Sequence, residues 1–146
     1  KATMIVHGIG EVDVQTALRS PFTAIGSDGL PVGTGGKPHP RGYGTFSRVL
    51  DYYVRQENLL SLEEAIRRMT SLPADVFSLR GRGRIEVGYA ADLVVFDAVN
   101  LRDHATFDDP VRSPSGIHSV WIAGEQVVSD GEYLGRRCGS LLKASH

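Results

Sequence analysis

The most regular apolar pattern lies in the middle of the chain. Phe46, Val49, Leu50, Tyr53 and Val54 recur at i, i+3, i+4, i+7 and i+8, which is one stripe of an amphipathic helix that begins at Thr45. Ser61, with Glu64 three residues on, is a capping-box pair and opens a second helix. Its inner face carries Leu62, Ala65, Ile66 and Met69. Leu72-Pro73-Ala74 opens a short third helix through Phe77 and Leu79, with proline tolerated in the first turn. These stripes are core rather than a cofactor box. Upstream, Thr3-Met4-Ile5-Val6 is a short apolar run that reads as a buried strand ending at His7-Gly8, and residues 10–19 have modest helical amphipathicity with Pro21 just beyond. Phe22-Thr23-Ala24-Ile25 then reads as a second buried strand. Strand, helix and strand in so short a span predict a βαβ unit, with a parallel sheet and a right-handed crossover.

Beyond Arg80-Gly81-Arg82-Gly83-Arg84 the period changes from that of helices to that of strands. Ile85 to Val87 is a short strand, Gly88-Tyr89-Ala90-Ala91 a turn, and residues 92–97 a second strand. Residues 100–115 are polar and Pro-containing and read as a long loop, with His104, Asp108, Asp109 and Arg112 solvated. Residues 117–122 and 125–128, joined by Ala123-Gly124, form a hairpin, and a polar tail follows Gly131. The change of period divides the chain into an α/β unit, residues 1–79, and a β unit, residues 80–146. The Arg-Gly run is the solvated connection between them.

Charge and composition exclude several functions. Sixteen basic residues stand against seventeen acidic ones, so nothing marks a nucleic-acid partner. No apolar run approaches the roughly 20 residues of a membrane span, which argues against a membrane partner. The single cysteine, Cys138, has no internal disulfide partner and suits a reducing, cytoplasmic setting. Its neighbours Arg136 and Arg137 raise the question of a lowered thiol pKa, against the alternative of an idle cysteine. Gly33-Thr34-Gly35-Gly36-Lys37 lacks the spacing and ending of a phosphate loop.

The candidate chemistry lies at Gly26-Ser27-Asp28-Gly29. A carboxylate at the carboxyl end of a buried strand is where α/β barrels build their sites. Gly26 and Gly29 leave the backbone beside Asp28 open to a metal, a water or a substrate carbonyl. The alternative is that Asp28 caps the following turn. His7 leaves its strand at the same rim, either as a second group of the site or as a loop residue. Pro38 and Pro40 stiffen the segment that presents His39 and Arg41. Arg41 is then either a surface arginine or a bidentate clamp for a substrate carboxylate.

The segments IGSDGLP, HPRGYGTFSRVL, GRIEVGYAADLVVFD and IHSVWIAGEQVVSDGEYLG, in this order, resemble the C-terminal part of the amidohydrolase superfamily. Within it the chain is most similar to the N-acyl-D-amino-acid deacylases, the D-aminoacylase group. The likeness runs over nearly the whole chain from about Thr3, and SDG followed by HPR and GTF is its most specific part. It implies an α/β fold: the last strands and helices of a (β/α)₈ barrel, then part of a small β-sandwich. It also implies a zinc-dependent hydrolase, with one or two zinc ions, that cleaves N-acyl-D-amino acids to a carboxylate and a D-amino acid. Asp28 matches the aspartate that binds or faces the metal and acts as general base and then acid. Arg41 matches the arginine that holds the substrate α-carboxylate, with Gly29 and His39 as further substrate-binding candidates. Asp92 matches a structural aspartate at a sandwich turn. His7 has no counterpart role.

What the family needs and this sequence lacks is equally informative. Its metal site begins with a His-x-His pair, and none of His7, His39, His104, His118 and His146 forms one. A complete barrel takes about 250 residues, and the chain opens on Lys1 rather than methionine. The expectation is a C-terminal portion of such an enzyme, inactive alone, whose partner is the missing N-terminal part of the barrel. The alternatives are a cyclic-amide hydrolase resembling dihydropyrimidinase or dihydroorotase, or a non-catalytic truncated module. The HPR-x-x-GTF segment speaks against the former.

Overall fold

A computed structural model describes residue 5 and residues 8–30 and 37–142. Four α-helices come first: α1 (Glu11–Arg19), α2 (Arg41–Arg48), α3 (Leu62–Met69) and α4 (Ser71–Val76). Four strands follow: β1 (Leu93–Phe96), β2 (Ile117–Ile122), β3 (Glu125–Ser129) and β4 (Glu132–Tyr133). Among the described residues every helix therefore precedes every strand.

The apolar stripe forms as its spacing predicts, but the helix that carries it differs in two ways. It starts at Arg41, four residues before Thr45, and it widens into a π-helical segment, Val49–Gln56, without interruption. The wider turn ends with Glu57 N–H bonded to Tyr52 O at 2.9 Å, five residues back. Nothing in the periodicity distinguishes this widening. Val49 and Tyr53 are buried with Leu18 of α1 and Ala65 of α3, and Val14, Ile25, Leu50, Val54 and Met69 pack around them.

Side chains join the helices. Ser61 Oγ caps α3 by accepting from Glu64 N–H at 3.2 Å, as predicted. Arg68, nearly fully buried, donates to Glu64 Oε1 at 2.6 Å and to the carbonyls of Leu18 and Ser20. The end of α1 is thereby fastened to α3. Hydrogen bonds from Arg67 and Arg68 hold the Glu64 carboxyl down at about 2, against a smaller upward push from desolvation. Tyr53 Oη reaches Glu11 Oε2 at 3.3 Å and fastens the other end of α1.

The upstream strands are where expectation and structure part. Of the run at residues 3–6 only Ile5 is described, and it is not in a strand; His7 lies outside the described residues. Residues 23–30 are extended but form no ladder. Their backbone tie to the helices is Ile25 N–H to Arg68 O at 3.0 Å. A strand exists only by pairing, and no parallel neighbour stands among the described residues, so these residues by themselves complete no βαβ unit. Phe22, expected inside, is 88% exposed. The predicted third helix ends at Val76, short of Leu79, because Ser78 turns to positive φ.

In the second half Ile85 and Val87 are exposed and outside any strand. The remaining prediction holds. β1 pairs antiparallel with β2, β2 with β3 and β3 with β4, giving a sheet in sequence order. Ala123 and Gly124 both take positive φ, 52° and 81°, the tight hairpin turn whose twist suits its strands. Asp130 and Gly131 repeat that conformation and add β4, a strand the sequence reading left in the tail. Asp92 has the structural role expected of it: Oδ1 accepts from Ala123 N–H at 2.9 Å, and Oδ2 pairs with Arg82. In the long loop His104, Asp108, Asp109 and Arg112 are solvated as expected, but Leu101 and Ala105 are buried against the helices.

Candidate active site

Asp28 sits in the extended segment after Ile25 with φ at 46°, a left-handed conformation that turns the chain there. The turn itself is capped by its neighbour: Gly29 N–H donates to Ser27 Oγ at 3.2 Å. The Asp28 carboxylate instead receives Arg41, with Nη2 to Oδ2 at 2.9 Å. That side chain is largely exposed, and Arg41 is about one third exposed, so an anion arriving from solvent can reach both.

Arg41 is placed by its local sequence. It is the first residue of α2, and Pro40 just before it already has helical φ and ψ. His39 Nδ1 accepts the Arg41 backbone N–H at 3.1 Å, so this ring nitrogen is deprotonated and Nε2 carries the hydrogen of the neutral ring. The His39 ring packs edge-on against Phe107 at 4.9 Å. Gly29 lies against the same helix start, where an added Cβ would stand 3.1 Å from Gly42 Cα. The four residues singled out from the sequence, Asp28, Gly29, His39 and Arg41, therefore converge on the N-terminus of α2. The connecting residues 31–36 lie outside the described residues.

A metal would find one carboxylate here. No group of three His, Cys, Asp or Glu side chains among the described residues could hold an ion. A zinc site takes three or four protein ligands. These residues alone do not make one, and Asp28 is the one carboxylate they can offer.

Sequence reasoning missed a second cluster, centred ten residues beyond Arg41 along the same rod. Asp51 is buried on the π-helical segment. Burial pushes its pKa up, but the Asp103 backbone N–H, Gln56 and Arg55 outweigh that, and the group is held below the ordinary carboxylate range. Nothing in the sequence pattern marked it, because Asp51 lies off the apolar stripe of its helix and reads there as a solvated charge.

An apolar cleft of about 860 Å³ lies away from this chemistry, between Phe46, Leu50, Met69, Ile85, Leu93 and Phe96. Its charged residues are engaged elsewhere, Arg84 with Asp75 and Asp92 with Arg82. Cys138 lacks the lowered pKa its arginine neighbours suggested: its Sγ–H donates to Glu125 Oε2 at 3.2 Å, and this bond, with some desolvation, raises the thiol pKa.

The amidohydrolase family model matches residues 5–128. An N-acyl-D-aspartate deacylase of Alcaligenes xylosoxydans xylosoxydans is 48% identical over 133 residues, covering 90% of this chain and 26% of that enzyme. Solved D-aminoacylase structures superpose with a TM-score of 0.88 at 46% identity, over 92% of this chain and 28% of theirs; one concerns that enzyme's binuclear metal centre. An N-acyl-D-glutamate deacylase from Bordetella bronchiseptica, solved with zinc and a phosphonate mimic of the tetrahedral intermediate, superposes at 0.78 with 42% identity, over 86% of this chain and 27% of that one. A dihydroorotase of Lactobacillus gasseri is similar at only 36% over 95 residues, so the cyclic-amide alternative is the more distant one. The chain spans between a quarter and a third of the length of the deacylases it matches.

Proposed function

The chain belongs to the amidohydrolase family, and from that premise we propose that it supplies the general base and the carboxylate clamp of a zinc-dependent N-acyl-D-amino-acid deacylase. The observation that carries this reading is the 2.9 Å contact between Asp28 and Arg41. In an N-acyl amino acid the α-carboxylate and the scissile amide are attached to one carbon and its nitrogen. A proton acceptor and a guanidinium fork that serve both must stand side by side, and these do.

In this reading the helices belong to the last part of a (β/α)₈ barrel, residues 1–79, and residues 80–146 form part of a small β-sandwich. Support comes from the order of elements and from the likeness to the deacylases. The substrate α-carboxylate docks on Arg41 in place of Asp28 and receives two parallel hydrogen bonds. The freed Asp28 takes the proton of the attacking water and returns it to the leaving nitrogen. His39 and Gly29 keep the α2 N-terminus close enough for this exchange. Bound zinc, held chiefly by ligands outside these residues, would supply a water with a pKa near 7.

Two variants of the full-length enzyme test the assignment. Asp28→Asn keeps size and removes the proton acceptor, and kcat should fall by about 10²–10⁴-fold. Arg41→Lys keeps charge and loses the planar fork, and KM should rise more than kcat falls. A nearly fully active Asp28→Asn enzyme would remove Asp28 as the base. An unchanged Arg41→Lys enzyme would return Arg41 to the surface.

A further inference from the structure

Helix α2 and the π-helical segment form one rod, and its face opposite the core meets residues 101–107 of the loop between β1 and β2. The contact is close and buried. Gly44 faces the Asp103 carboxylate so tightly that a Cβ there would stand 2.5 Å from Oδ1. Ser47 Oγ, buried, lies 3.4 Å from the same oxygen, which also accepts Ala105 N–H at 3.1 Å. One turn further, Asp51 Oδ2 accepts Asp103 N–H at 2.9 Å, while Oδ1 receives Gln56 at 3.1 Å and Arg55. At the start of the rod Phe107 of the same loop packs on His39, whose Nδ1 fixes the Arg41 backbone. Lys37 and Asp108 add an exposed ion pair.

We propose that Asp51 and Asp103 are positioning residues: through this clasp the β-rich half of the chain sets where α2 begins, and so where Arg41 stands relative to Asp28. The inference rests on the reading of Arg41 as the carboxylate clamp. Its physical basis is that Gly44, Ser47 and Asp51 share one face at spacings of three and four, so a single aspartate loop locks the rod against both sliding and rotation. A buried, ionised Asp51 whose oxygens are filled by fixed donors tolerates no alternative seating. A π-helical widening at this place fits the same role, since it lets a helix aim side chains that a regular turn would not.

The test uses the full-length enzyme and two substrates, an N-acetyl-D-amino acid and the same compound with its carboxylate converted to a primary amide. Arg41→Lys should lower kcat/KM on the acid and spare the amide. Asp51→Ala should do the same through KM, by about 10–100-fold on the acid, the usual cost of misplacing a binding group by about an ångström. Asp51→Asn, which keeps an acceptor for Asp103 N–H, should recover most of the loss. A merely structural role lowers both substrates in equal proportion, and that outcome, or no change on either, would overturn the proposal. Should Asp51→Ala fail to fold, Phe107→Ala loosens the half-exposed other end of the clasp and should show the same selective loss, a few-fold in size; an equal loss on both substrates counts against the proposal in the same way. If Arg41→Lys is itself unselective, the clamp reading fails and this inference falls with it. If Arg41→Lys is selective and the clasp variants are not, only the positioning role is wrong.

Discussion

The two halves of this molecule are held together by different kinds of bond. From β1 to β4 each element joins the next by a backbone ladder, and two tight turns of the same conformation fix the register. The helices upstream have no such ladder between them. They are joined by particular side chains: Arg68 to the end of α1, Tyr53 to its start, Asp51 to the loop beyond. A ladder depends on backbone groups that every sequence has, whereas a side-chain fastening fails with one substitution. The half that carries Asp28 and Arg41 is thus the half whose geometry depends on individual residues.

The contrast can be broken in several places. The largest effect concerns chemistry. With no group of three metal-ligating side chains among the described residues, these 146 residues expressed on their own should show no deacylase turnover above a chelator-treated control. Measured hydrolysis of an N-acetyl-D-amino acid by the isolated chain would refute that. Next comes Arg68→Met, which leaves the buried Leu18 carbonyl and the partly buried Ser20 carbonyl without their donor and should cost about 2–3 kcal/mol in chemical denaturation. A loss below about half a kcal/mol would show that the helical half does not depend on this fastening.

In the sheet half the sensitive point is backbone conformation. Gly124→Val, at φ 81°, should cost about 1–2 kcal/mol, whereas Gln126→Thr on β3 should change little. Equal costs would remove the turn from its role in setting register. The smallest effect is a pH dependence. The Glu64 carboxyl is depressed from 4.5 to about 2, so its contribution is complete above pH 4.5 and is lost as pH falls towards 2. Thermal melts over that interval should drop less steeply for Glu64→Gln than for the native chain, and superimposable slopes would count against the Arg67–Glu64–Arg68 cluster.

How far the sequence could be read follows the same division. The hairpin around Ala123-Gly124 and the Ser61 cap were legible because each depends on a few adjacent residues with strong local preferences. The convergence of Asp28 and Arg41 was legible through motif likeness, not through spacing. The strand expected at residues 22–25 is unpaired among the described residues, because β-prone residues make a strand only beside a partner, and pattern carries no information about the partner. The π-helical widening escaped notice because it leaves the apolar stripe unchanged, and the Asp51–Asp103 clasp because it joins groups about fifty residues apart. Asp103 in particular looked like any other charge in a polar loop until the fold placed Gly44 and Ser47 against it.

One feature of the sheet bears on how the chain will behave in the hand. β1 reads Leu93-Val94-Val95-Phe96, uncharged and β-branched at its centre, with both valines about half exposed and one edge that no described strand pairs. Such an edge is a template for another copy of itself. Asp92 and Asp97 stand at its two ends as charged gatekeepers, but both are engaged, Asp92 with Arg82 and the β2–β3 turn, Asp97 with the N–H groups of Val99 and Asn100. Concentrated preparations of these residues alone should therefore lose material to strand-to-strand aggregation, and a lysine at Val95 should improve their yield in solution.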